Sequence, residues 1–152
     1  MNKHFLNKRL VHQLGFAGLI PFVLLALACW AVSSDWVASF VNAQQVYAIV
    51  ILSFLGGIHW GATMVSGDLT VVQTKRALGW SVVPTMIACV ATMSGGFRFA
   101  VLMAGFIASY QVDKRIFSWY KLPEWFLRLR FILTCVVVGA LLLTVFAGNA
   151  RG

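Results

Sequence analysis

The chain has 152 residues, of which 61% are hydrophobic and 11% charged, against about 45–50% apolar and about 25% charged in soluble domains. A soluble fold of this length has too little interior to hide that surface, so lipid must be part of its solvent. The net charge of +8 is carried by residues that flank apolar runs and form no single patch, a pattern of membrane topology that excludes a nucleic-acid reading.

A membrane span needs about 20 mostly apolar residues. The N-terminal segment carries Lys3, Lys8 and Arg9 ahead of an apolar run. That run is too long for a signal-peptide core and no small-residue cleavage site follows, so it reads as an uncleaved first span, residues 14–32. Pro21 lies inside it and predicts a kink or an irregular first turn. A polar loop with Asn42, Gln44 and Gln45 is expected next, then a second span over 46–65. A third covers 77–93 and holds Pro84, and the turn signal Ser94-Gly95-Gly96 leads into a fourth over 97–112. These two runs are short, and a re-entrant hairpin is the rival reading for them. An interfacial segment over 113–128 precedes a fifth span, 129–147. The single domain 1–152 is therefore expected to be all-α, an integral membrane protein of about five transmembrane helices.

Lys75 and Arg76 follow the second span, and Lys114, Arg115, Lys121, Arg128 and Arg130 follow the fourth. With the N-terminal three, they fall on one side of a five-span layout, leaving only Arg98 and Arg151 opposite. The positive-inside rule then places the N-terminus in the cytoplasm and the C-terminus outside. Trp80, Trp119, Tyr120 and Trp125 fall near the expected inner interface, and Trp30, Trp36 and Tyr47 near the outer one, as amphipathic rings prefer.

Chemistry-bearing residues are few. Cys29, Cys89 and Cys135 stand alone in apolar runs and read as small hydrophobes. In the second span Ser53, Gly57 and Gly61 recur every four residues, and with Gly56 they form an expected helix-packing set. His59 lies on another face, with Leu55, Gly56, Thr63 and Ser66. An ionisable group inside a span is a functional-site hypothesis, set against a structural histidine held by a hydrogen bond. A bis-histidine haem site would need His12 or His4 as its second ligand, and no spacing demands that pair. The fourth span ends Ser109-Tyr110-Gln111-Val112-Asp113, where Asp113 has Arg76, Arg115 and Arg130 as candidate partners. Pro123 and Glu124 open the last helix, where Arg128 and Arg130 are placed to reach lipid phosphates. The candidate polar residues are thus His59, Thr63, Tyr110, Asp113 and Arg130. No catalytic, cofactor or metal motif occurs, and no enzyme activity is expected.

Four stretches taken together resemble a known family: Leu14 to Phe22; Tyr47 with Ile51 to Gly61; Gly105-Phe106 leading to Gln111 and Asp113; and Pro123-Glu124-Trp125 with Leu129-Arg130 and Leu133-Thr134. It is the family of small bacterial and mitochondrial membrane proteins built on a domain of unknown function, the transmembrane protein sixty-nine-like proteins. Phe126 stands where that resemblance expects a tyrosine. The resemblance implies a multi-pass protein of bacterial inner-membrane or mitochondrial type and no assigned activity. It draws attention to His59, Trp60, Asp113 and Arg130 without giving them roles.

Three function classes follow. The first is a non-catalytic accessory or assembly component of a membrane complex in the bacterial inner membrane. The second is a small oligomeric transporter or channel with a polar path near His59. The third is a haem- or quinone-associated redox subunit. Expected partners are the lipid bilayer and either a membrane-protein partner or further copies of the chain, with no nucleic acid.

Overall fold

A computed structural model describes residues 3–151, with side chains from Lys8 onward. The side chains of Lys3 and His4 lie outside the described residues. Five helices follow one another: α1 (Lys3–Ala31), α2 (Ser34–Val65), α3 (Val71–Met93), α4 (Arg98–Ile116) and α5 (Glu124–Arg151). No strand occurs among the described residues. Each helix packs on the next in order, and α5 returns to α1, so the bundle closes into a ring.

Four helices, α1, α2, α3 and α5, are long and apolar enough to cross a membrane. With α4 the protein is an all-helical membrane protein. At 19 residues α4 extends about 28 Å, but it carries Arg98 at one end and Asp113, Lys114 and Arg115 at the other. The third helix begins at Val71 rather than Ala77, because Thr70 and Gln73 form a capping box that starts it early. It is thereby longer than the short hairpin limb considered above. α1 runs on through Pro21 and α3 through Pro84.

One expectation is corrected outright. No polar loop separates the first two helices, because only Val32 and Ser33 turn the chain and Asn42, Gln44 and Gln45 all lie within α2. Gln44 is fully buried, and its Nε2 donates to the Phe22 carbonyl at 3.2 Å. One turn on, the Tyr47 hydroxyl donates to the Gly18 carbonyl at 2.7 Å. Gln44 and Tyr47 thus join α2 to α1 through hydrogen bonds.

The core is apolar, with Phe22, Leu52, Leu102, Phe106 and Leu141 almost wholly enclosed. Small residues set the closest helix approach. A Cβ on Gly56 would collide with the backbone carbonyl oxygen of Ser81 across the α2–α3 contact. On Gly105 it would sit 2.8 Å from Leu52 Cδ2 and Ile87 Cγ2. Gly57 and Gly61, expected as packing residues, are exposed with nothing within 4 Å of an added Cβ. Ser53 is half-buried and its hydroxyl bonds its own helix at Ile49. Of the expected set, only Gly56 makes a close helix contact within the chain.

At one end of the bundle Lys121 Nζ reaches Asp68 Oδ2 at 3.2 Å, tying the α2–α3 connection to the α4–α5 connection. At the other end, Arg151 donates to the carbonyls of Cys29 (2.9 Å) and Val32 (2.6 Å). These are carbonyls at the end of α1 that no further helical turn can use.

Candidate functional site: a buried His–Asp–Arg cluster

Three helices each contribute one polar side chain to a single buried cluster. On α2, helical spacing puts Leu55, Gly56, His59 and Thr63 on one inward face, and all four are buried. His59 is 1% exposed. On α4, Asp113 lies one turn beyond buried Ser109 and is 2% exposed. On α5, Arg130 follows buried Leu129 in the second turn.

Asp113 is the hub. His59 Nε2 donates to its Oδ1 at 2.7 Å. Arg130 Nε donates to Oδ2 at 2.8 Å, and Arg130 Nη2 stands 2.7 Å from the same oxygen. Nη2 completes no second hydrogen bond in that position. Both carboxylate oxygens are therefore used, one by each neighbouring helix. The bond to Asp113 places the imidazole N–H on Nε2 and turns Nδ1 toward Tyr120.

The second layer comes from the α4–α5 connection. Tyr120 Oη lies 3.0 Å from Thr63 Oγ1 and 3.4 Å from His59 Nδ1. Thr63 Oγ1 also lies 2.7 Å from the His59 carbonyl, to which it donates, and either hydroxyl can be the donor between Thr63 and Tyr120. Burial pushes the Tyr120 phenol above its usual range. The Thr63 hydrogen bond opposes that shift, and the Asp113 charge adds to it. Phe117 lies with its ring centre 5.4 Å from that of His59 and closes the cluster from the connection side.

The turn that delivers Tyr120 is a helix-ending motif. The Leu122 N–H returns to the Phe117 carbonyl and the Lys121 N–H to the Ser118 carbonyl, both at 3.3 Å. This paired pattern usually places glycine where Lys121 sits, and Lys121 has the left-handed φ of 55°.

Four of the expected polar residues, His59, Thr63, Asp113 and Arg130, thus meet in one place. Of the three cations weighed for Asp113, Arg130 is the one bonded to it. Arg130 is correspondingly withdrawn from the interface, where it was expected to reach phosphates beside Arg128. Tyr110 stays apart, packing on Phe131 at 5.5 Å with Lys114 Nζ above its ring. His12 is also apart. Its Nδ1 contacts the Lys8 carbonyl and its ring lies over Trp125. In the sequence Tyr120 carries only the signature of an interfacial aromatic, and no feature separates it from Trp119.

Opposite charges are matched in a low-dielectric interior, and the hydrogen bonds of the cluster join α2, α4, α5 and the α4–α5 connection. Such an arrangement holds α2, α4 and α5 in register. Among the described residues no group of three or more His, Cys, Asp or Glu side chains could hold a metal ion.

Comparison with known proteins relates this sequence to a family. Transmembrane protein 69 of Xenopus tropicalis is 33% identical over 134 residues, covering 84% of this chain and 50% of that protein. The chain thus spans about half the length of this curated relative. No solved structure matches. The family described as "Protein of unknown function (DUF3429)" matches residues 7–146. That range reaches into all five helices and includes every member of the buried cluster, so the chain belongs to the DUF3429 family.

Proposed function

We propose that this chain is a non-catalytic accessory subunit of a larger membrane complex, with its N-terminus on the cytoplasmic side of a bacterial inner membrane. The observation that carries the reading is a division of labour on α2. The side chains with chemical reach, His59 and Thr63, turn inward and bond their neighbours, whereas Gly57 and Gly61 turn outward onto open space. Two glycines one turn apart on a lipid-facing strip let a second helix approach closely, and close approach is the main source of helix affinity inside a bilayer. The charge distribution supports the orientation.

A transport path receives less support, because His59 is buried and bonded to its neighbours and does not line the apolar crevice between α1, α2 and α5. The test is affinity purification of the tagged chain at native expression level in mild detergent, with mass spectrometry of the eluate. A partner at near-equal amount is expected, and Gly57→Leu with Gly61→Leu should release it while leaving thermal stability unchanged. Elution of the chain as a clean homo-oligomer would overturn the accessory reading and shift weight to transport.

A further inference from the structure

Beside Arg130 of the His–Asp–Arg cluster, residues of α1, α2 and α5 line a crevice of about 340 Å³. This is within the range of small-molecule sites, about 300–1,000 Å³. Leu19, Phe22, Leu55, Ile58, Leu133 and Val137 make its walls apolar. Its rim residues Leu14 and Phe54 are exposed, so in a bilayer the crevice opens sideways to lipid.

Two polar side chains, Arg130 and Thr134, border this apolar space; Thr134 Oγ1 has no hydrogen-bond partner, and Arg130 Nη2 is held by its ion pair with Asp113. They are 5% and 6% exposed. Thr63 and Thr144 donate to the carbonyl four residues back, but Thr134 Oγ1 makes no hydrogen bond. Arg130 Nη2 stands 2.7 Å from Asp113 Oδ2 and completes no hydrogen bond there, so it keeps donor capacity. Buried donors without acceptors are costly, and native proteins leave few of them. The charge of Arg130 is already matched by Asp113, so an added anion would be uncompensated in a low-dielectric site. The missing component is a neutral acceptor oxygen attached to an apolar body.

We propose that this crevice binds a neutral, carbonyl-headed membrane lipid, its carbonyl oxygen accepting from Thr134 Oγ1 and Arg130 Nη2 and its apolar part leaving between Leu14 and Phe54. Two sources share that chemistry, a quinone ring and an acylglycerol ester.

The test uses the full chain in nanodiscs of ether-linked phospholipid, which contain no carbonyl. A short-chain quinone and dioctanoylglycerol are titrated separately, with the thermal midpoint as readout and quenching of tryptophan fluorescence as a second readout for the quinone. One of the two should raise the midpoint saturably, and the one that does identifies the source. Thr134→Val, which keeps the side-chain shape, should weaken binding about tenfold, the loss expected for about 1.4 kcal/mol. Gly18→Leu places a side chain into the crevice where an added Cβ meets nothing within 4 Å, and it should abolish saturation. Leu14→Trp at the exposed rim supplies a second block should Gly18→Leu fold poorly. Absence of saturation by either probe would overturn the proposal, as would wild-type binding in Thr134→Val or in both blocking variants. Tighter binding of decanoate than of either neutral probe would also overturn it.

Discussion

Arg130 engages Asp113 through a single oxygen, Oδ2, with Nε at 2.8 Å and Nη2 at 2.7 Å. That leaves Oδ1 wholly to His59. Side-on approach to one oxygen gives up the fork-to-fork geometry that makes arginine–carboxylate pairs strongest. In exchange, one carboxylate serves two helices.

The pair should therefore behave as a unit. Arg130→Met alone leaves a buried carboxylate with only His59 and is expected to lower stability by about 3–5 kcal/mol. Asp113→Leu combined with Arg130→Met should recover most of that loss. A double-mutant cycle on thermal or denaturant unfolding in detergent measures the coupling, and strictly additive losses would contradict it.

Gly56 and Gly57 are adjacent and should respond differently. Gly56→Ala drives a methyl group into the Ser81 backbone carbonyl, which no side-chain rotation relieves, and a cost of about 1–3 kcal/mol is expected. Gly57→Ala meets open space and should be neutral or slightly stabilising, since alanine favours helix by about 1 kcal/mol. Matching unfolding curves for the two variants would disprove the close α2–α3 contact.

Tyr120 gives the stability an alkaline limit. Burial raises its phenol above the unfolded value, which is about 10. For a group whose folded pKa is raised, the stabilisation is complete below the unfolded pKa and disappears as pH rises through the folded one. Stability should thus fall beginning near pH 10, and Tyr120→Phe should flatten that limb while lowering the neutral-pH baseline by about 1 kcal/mol. An unchanged alkaline limb in Tyr120→Phe would rule out this tyrosine as its source.

Lys121 occupies a glycine position. Lys121→Gly relieves a left-handed φ of 55°, worth about 1–2 kcal/mol, and gives up an ion pair with Asp68 that is exposed on both sides and contributes little. A higher thermal midpoint is the expected result, and a lower one would show that the lysine side chain holds the turn.

The sequence made some of this legible. The buried face of α2 followed from helical spacing, because Leu55, Gly56, His59 and Thr63 fall on one side whatever covers them. Arg130 was one of three cations weighed for Asp113, and the choice among them is set by the packing of α4 on α5, which no local pattern encodes. The length of α2 was hidden because Asn42, Gln44 and Gln45 have the composition of a loop, whereas Gln44 is buried by a bond to α1. The regular four-residue spacing of Ser53, Gly57 and Gly61 pointed to packing. Spacing identifies a common face, but only the neighbouring helix decides whether that face is covered.

The ring closed by α5 on α1 also has a consequence for biosynthesis. His59 and Asp113 leave the ribosome before Arg130, so until the last helix enters the membrane the carboxylate lacks its matching cation. Insertion of α5 then supplies Arg130 to Asp113 at one end and Arg151 to the exposed carbonyls of α1 at the other. A nascent chain halted before α5 would carry both defects, a mark by which membrane quality control could tell an unfinished copy from a finished one.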